Sequence, residues 1–376
     1  MTRGAAAVVS LTVVMGLAGW SSSAATRPVT QTLVFDTVAR DSFVDVAPSL
    51  LSLVGIKPPA AMQGEAFLGK YAAAPRRYLH GLRGRMDERI DLVRSVRDRR
   101  YVYVRNYLPH LPAGQHVAYM FETPTTRVWK GLFDRGKLTA AQSAYWRPKA
   151  PEELYDLQTD PDEVKNLAGS PEHKDVLNRL RAAQREQALK VRDVGLLPED
   201  EIHRRSRGSS PYDYGHDRAK YPLERVLAAA ELASSLGADD VPALRKLLAD
   251  DDSAVRCWAA MGLLMRGPKA VGAARDDLLR RLDDDAPSVR VAAAEALARC
   301  GDEGLRKALP VLLAHAAPDR NGPYVAIQAL NAIDALGERA ASIKEDVRRL
   351  PMKDLPPPQR ASSLIPRLVE HNLAGK

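Results

Sequence analysis

Leu248-Ala-Asp-Asp-Asp-Ser-Ala-Val-Arg-Cys-Trp-Ala-Ala260 returns 34 residues later as Leu282-Asp-Asp-Asp-Ala-Pro-Ser-Val-Arg-Val-Ala-Ala-Ala294. The register holds further on, where Leu263 and Gly267 return as Leu297 and Gly301. Ahead of each copy runs a second apolar stripe, Leu244, Leu247 and Leu248 in one and Leu278, Leu279 and Leu282 in the next. Each copy therefore reads as two helices around an acidic turn, with Gly as the stop. A looser third copy follows in Val325, Ala329, Leu330, Ile333 and Gly337, and a partial first one runs from Ala228 to Gly237. Such a unit cannot bury its apolar face alone, so neighbours are expected to stack into a short α-solenoid over 223–350, an ordinary helical bundle being the alternative. Pro356-Pro-Pro358 opens a tail over 351–376.

Upstream the pattern changes. Residues 206–222 are rich in turn formers without periodicity and read as a linker. Before them, Asp91–Asp98 and Arg99–Arg105 alternate loosely around a polar turn, as an antiparallel hairpin does. Ser170-Pro171-Glu172 caps a helix whose face is Val176, Leu177, Leu180, Ala183 and Val191. Ser42 and Asp45 form a capping box opening another helix, with Phe43, Val44, Ala47, Leu50, Leu51 and Val54 as its expected buried face and Gly55 as its stop. Thr30–Val38 reads as an edge strand, and Tyr155 and Trp146 as core anchors. The expected fold is α+β over 30–205, a small antiparallel sheet with covering helices, followed by the all-α solenoid.

The 376 residues, 45% of them apolar, suffice for more than one core. A formal charge of +8 admits an anionic partner, but 47 Asp and Glu against 55 Lys and Arg argue against a dedicated nucleic-acid binder. With only Cys257 and Cys300, no disulfide framework or Cys-x-x-Cys metal site can be built, and both read as small apolar residues. Met1-Thr-Arg3, the apolar stretch Ala5–Trp20 and Ser21-Ser-Ser-Ala-Ala25 have the three zones of a secretory signal over 1–25, so an exported chain is expected.

Four stretches together resemble the closing segment of alkaline-phosphatase-like sulfatases of the heparan N-sulfatase type. They are Ser42-Phe-Val-Asp-Val-Ala-Pro48 with its continuation to Pro59, Met62-Gln-Gly64, Arg97-Asp-Arg-Arg-Tyr101 to Asn106, and Glu153-Leu-Tyr155-Asp-Leu157 with Asp160-Pro161 and Asn166-Leu-Ala168. The downstream copies resemble HEAT repeats. The first resemblance implies a four-stranded antiparallel sheet with a terminal helix, and an enzyme using formylglycine, made from Cys or Ser in the pattern Cys/Ser-x-Pro/Ala-x-Arg, together with calcium. The segment carrying the resemblance does not contain that machinery. Cys257-Trp-Ala-Ala-Met261 has Met where Arg is needed, and Cys300-Gly-Asp302 fails at once. Ser23-Ala-Ala-Thr-Arg27 matches formally, but where a signal peptidase would cut, and Asp36 and Asp41 read as turn and cap residues, not calcium ligands. No catalytic or metal residue and no cofactor is therefore assigned within this chain.

Binding residues are sought elsewhere. Ten arginines between Arg76 and Arg105 suit sulfate oxygens, yet the interleaved Asp87, Glu88, Asp91 and Asp98 are expected to pair with many of them on a solvated sheet face. Tyr107-Leu-Pro-His110-Leu-Pro-Ala-Gly-Gln115-His116 is more specific, an irregular loop directly after the hairpin. It resembles the sulfatase stretch that turns toward the substrate entrance, which makes His110, Gln115 and His116 the substrate-binding candidates, a ligand-free surface loop being the alternative. The expected function is that of a sulfatase-family fragment or remnant without hydrolytic competence. The alternatives are an exported interaction module that grips a protein through its repeats, and a subunit complementing a separate catalytic half. A sulfated glycan or sulfate ester is the substrate implied for the parent enzyme.

Overall fold

The computed structural model describes residues 8–10, 32–34, 42–352 and 355–374. Ser23, Asp36, Asp41 and most of the leader lie outside them. Strands β1 (Val8–Ser10) and β2 (Thr32–Val34) pair antiparallel with Val8 opposite Val34, and β2 falls in the stretch read as an edge strand. The chain divides into two compact units, residues 1–79 with 97–100, and 80–96 with 101–376.

In the first unit the capping box is present: the Asp45 carboxylate accepts from the Ser42 amide at 2.8 Å, and helix α1 (Val46–Leu53) follows. Its burial is the reverse of the expected pattern. Phe43 is 93% exposed, and Val44, Leu50, Val54 and Ile56 are also exposed, while Asp45, Ser49 and Ser52 are buried. The cause is a loop packed on the polar side. Ser49 Oγ accepts from Phe67 N at 3.0 Å, Ser52 Oγ from Tyr71 N at 2.7 Å, and Asp45 Oδ1 from Glu65 N at 2.8 Å. A Cβ on Gly69 would stand 2.5 Å from the Ser52 backbone, so only glycine lets the loop come this close.

The second unit opens on the expected sheet. Strands β3 (Leu79–Arg83), β4 (Val93–Arg97), β5 (Tyr101–Asn106) and β6 (Glu152–Asp156) lie in that order, with Tyr103 opposite Leu154. Between β5 and β6 come helices α2 (Pro124–Asp134) and α3 (Ala140–Ser143). Trp146 is buried as expected, whereas Tyr155 is only half-buried, because strand alternation turns Leu154 and Asp156 inward instead. Helix α4 (Lys174–Lys190) covers β5 with Leu177, Leu180 and Ala183, while Val191 beyond its end is exposed. After α5 (Glu199–Arg205), the stretch read as a linker holds α6 (Pro211–His216) and the buried Tyr214 and Tyr221. The Arg192 guanidinium fastens it by donating to Gly215 O at 2.8 Å and Tyr221 O at 2.6 Å.

The repeats follow as α7 (Leu223–Ser234), α8 (Val241–Leu247), α9 (Ser253–Met265), α10 (Pro268–Ala273), α11 (Arg275–Arg280), α12 (Pro287–Ala298), α13 (Gly301–His315) and α14 (Pro318–Leu336). Helices α15 (Lys344–Arg348), α16 (Gln359–Ser362) and α17 (Ile365–Ala374) close the chain, α17 packing on α14 through Ile365, Leu368 and Val369. The α+β module followed by an α-solenoid is thus the architecture. The repeated glycines stand where the chain turns from α9 into α10 and from α12 into α13, with positive φ of 81° for Gly267 and 80° for Gly301. The repeated Val-Arg has a mechanical role in its first copy. Arg256 forks onto Asp284 of the next copy at 2.8 and 2.7 Å and donates to the Asp250 and Asp251 carbonyls.

Helices α9 and α12 are buried nearly all round. One face meets neighbouring repeats, and the other is covered by the α+β part of the same chain, in one continuous apolar core. Trp258 Nε1 donates to Leu196 O at 2.8 Å, Ser288 Oγ to Glu201 at 3.2 Å, and Asn331 Nδ2 to Glu88 O at 2.9 Å. His203 stacks on Tyr324 at 4.2 Å. The arginines take part in this docking. Arg83 meets Asp91 at 3.5 Å within the sheet region, as expected. Arg89, by contrast, reaches Asp334 at 2.9 Å and Arg105 reaches Ser234 at 2.5 Å, while Arg94 holds Asp193 at 2.6 Å. They form struts between segments far apart in sequence, not a solvated face.

Asp200 in α5 belongs to this junction, and burial, reinforced by neighbouring Glu201, pushes its carboxyl up to about 7. An unfolded Asp titrates near ~4. The folded chain thus keeps the proton longer, and the stability it confers is full below about pH 4 and lost as pH rises through about 7. Asp200→Asn is expected to raise the thermal midpoint at pH 8 and leave it nearly unchanged at pH 4. Equal shifts at both pH values would show that the carboxyl is ionised in the folded chain.

Candidate functional site

The loop after β5 is pinned at both ends by backbone contacts. Tyr107 N donates to Leu92 O at 2.9 Å, Lys149 N to Pro109 O at 2.8 Å and Gly114 N to Tyr145 O at 2.7 Å. A Cβ at Gly114 would lie 2.6 Å from the Trp146 ring and 2.7 Å from Tyr145, so glycine permits the loop to lie flat on these rings.

The three candidate residues on this loop do not converge. His110 is turned inward: burial, reinforced by Arg299 and Lys149, drives its imidazole down to about 3, leaving it neutral, and its Nδ1 has no hydrogen-bond partner among the described residues. Gln115 donates from Nε2 to Ile90 O at 2.9 Å, a loop-holding contact. His116 is sandwiched, its ring 3.9 Å from His371 of α17 and 4.3 Å from Phe121, while its carbonyl accepts from Arg89 Nε at 2.6 Å. The loop thus joins sheet, repeats and C-terminal helix.

What adjoins it escaped the sequence reading. Phe121 leads from His116 into an aromatic group around Trp146, with Trp129 and Tyr145 each 5.0 Å from its ring, Phe121 at 6.2 Å and Phe133 at 6.3 Å. Trp129 and Tyr145 stack on each other at 4.8 Å with 20° between planes. Trp129 Nε1 donates to Gln142 O at 3.0 Å, and Thr139 caps α3, holding Tyr145 in place. The signal was available: in a chain only 6% aromatic, six such residues fall between Tyr119 and Trp146, with Trp129 and Phe133 one helical turn apart.

Formylglycine and calcium do not fit the described residues. Among them no group of three or more His, Cys, Asp or Glu is placed to hold a metal ion. Cys257 is buried, its thiol pushed well up by burial, and Cys300 lies 3.4 Å from Pro268 O.

Residues 241–334 match the family model for HEAT repeats. Two ulvan-active sulfatases of Formosa agariphila are similar to part of the chain. One is 41% identical over 162 residues, which is 43% of this chain and 27% of that protein. The other is 30% identical over 151 residues, 37% of this chain and 26% of that protein. The chain thus spans about a quarter of the length of these relatives. A protein solved in complex with its substrate D-glucosamine-2-N,6-O-disulfate aligns over 38% of this chain and 23% of its own, at 16% identity and a TM-score of 0.24, too low to carry weight.

Proposed function

We propose that the chain is a non-hydrolytic module of the sulfatase family, completing a catalytic part that acts on a sulfated polysaccharide. The 41% identity over 162 residues to an ulvan-active sulfatase carries this reading. The inverted burial of α1 favours a complementing module over an idle remnant. An apolar row of Phe43, Val44, Leu50, Val54 and Ile56 facing solvent, with serines buried behind it, is a surface built to be covered. The reading as a free interaction module, in which the repeats grip a partner, is disfavoured for α9, α12 and α14, because these helices are met by Leu196, Glu201 and Glu88 of the same chain.

The test is sulfate release from ulvan. The chain alone is expected to release none, and a catalytic part of a related sulfatase lacking the matching segment is expected to gain activity when the chain is added. Phe43→Asp with Leu50→Asp should abolish that gain without lowering the thermal midpoint, since both side chains are exposed. Sulfate release by the chain alone would overturn the non-hydrolytic reading, and a gain unaffected by the double variant would overturn the role of α1.

A further inference from the structure

Helix α2 carries Val128, Trp129, Leu132 and Phe133, the stripe of an ordinary core helix, yet not one of its 11 residues is buried. Val128 is 61% and neighbouring Tyr119 50% exposed. Trp129 and Tyr145, stacked at 4.8 Å, make a half-exposed ledge, with the buried Trp146 edge-on beneath at 5.0 Å from each. The segment that carries the ledge is rich in cations, and Lys130 Nζ lies 6.0 Å from the centre of the Trp146 ring. Between Tyr119 and Arg147 the chain has Arg127, Lys130, Arg135, Lys137 and Arg147 against Glu122 and Asp134, and Lys130 holds Asp134 at 2.5 Å. Five cations less two anions leaves an excess of three positive charges.

Flat rings offer stacking surface for the apolar face of a sugar, and guanidinium and ammonium groups match sulfate oxygens. An apolar helix from a partner protein would use the rings but leave the cation excess unanswered, so charge decides between the two occupants. We infer that the α2 ledge binds a sulfated polysaccharide, Trp129 and Tyr145 stacking on sugar rings while Arg127, Arg135 and Lys137 take the sulfates. The inference rests on the reading above for its ligand class and adds a site on this chain that works without hydrolysis.

Binding is measured by titration calorimetry of the full chain with ulvan, with chemically desulfated ulvan and with polyphosphate. Sulfated ulvan is expected to bind, the desulfated polymer at least about tenfold more weakly. Arg135→Glu with Lys137→Glu, both exposed, should weaken binding of the sulfated polymer about tenfold at an unchanged thermal midpoint. Trp129→Ala should weaken it by a similar factor, and Trp129→Tyr should restore most of the loss. Equal affinity of wild type and the charge variant overturns the proposal even if Trp129→Ala fails to fold. So does equal affinity for polyphosphate with indifference to Trp129→Ala, since charge alone would then suffice. Absence of binding to any of the polymers would leave the ledge to a protein partner and overturn it as well. Because the readout is binding, failed complementation leaves this site standing, and failure here leaves the complementation test untouched.

Discussion

Trp258→Ala is expected to destabilise the chain by about 3–5 kcal/mol, the range for deleting a buried tryptophan. The side chain is buried at the junction of the repeats with the α+β part, its ring 6.2 Å from that of Tyr107 and its Nε1 donating to Leu196 O at 2.8 Å. Truncation removes the ring packing and leaves a buried carbonyl without its donor, two separate losses. Trp258→Phe separates them, since most of the ring volume stays and only the donor goes, for a loss of about 1–3 kcal/mol. Urea denaturation followed by circular dichroism measures both. A loss for Trp258→Ala no larger than for Trp258→Phe would mean that the ring contributes nothing to the junction.

Arg256→Met should cost about 3 kcal/mol at neutral pH, because it strands a buried carboxylate. Asp284 is buried beneath the Arg256 fork and, among the described residues, keeps only Arg281, at 2.9 Å, as an ionic partner after the substitution. Burial alone would raise the Asp284 carboxyl, but the fork, joined by the Ala286 amide and by Asp285, outweighs it and holds it down at about 2. The sign follows from this depression: the stability it confers is present above the unfolded value near ~4 and lost as pH falls through about 2. The gap between wild type and Arg256→Met is therefore expected to narrow as pH falls from 4 to 2. Adding Asp284→Asn to the variant should recover part of the loss at pH 7 by removing the stranded charge. A gap of the same size at pH 2 and pH 7 would sink this account of the pair.

The repeat register was legible because helical spacing and glycine stops are local: Val255 and Val289 occupy equivalent places, and Gly267 and Gly301 adopt the same φ to within a degree. The sheet and α4 were legible for the same reason. The covering of α9 and α12 was half legible. Val291, Ala292, Ala293, Ala294 and Ala296 leave α12 little polar face, and a helix apolar all round is covered on both sides. What covers it could not be read, since Leu196 comes from a short irregular stretch and Glu201 from α5, a helix of 7 residues too short to show a period. Helix α1 misled for an opposite reason: amphipathic spacing fixes which residues share a face, not which face turns inward, and the loop from Glu65 to Tyr71 claimed the serine side. His110, Gln115 and His116 drew attention by residue type, while the neighbouring rings did not, because aromatic residues read first as core.

An open solenoid tolerates gain or loss of a unit, because each unit touches only its neighbours. This one is bolted along its length, at Ser234 by Arg105, at Trp258 by Leu196, at Ser288 by Glu201 and at Asn331 by Glu88. Excising or duplicating one 34-residue copy would carry every bolt beyond it to the wrong helix. The array is therefore measured against a ruler supplied by its own chain. Its unit number is free to vary only if that ruler changes length with it, which ties the evolution of two unrelated folds together.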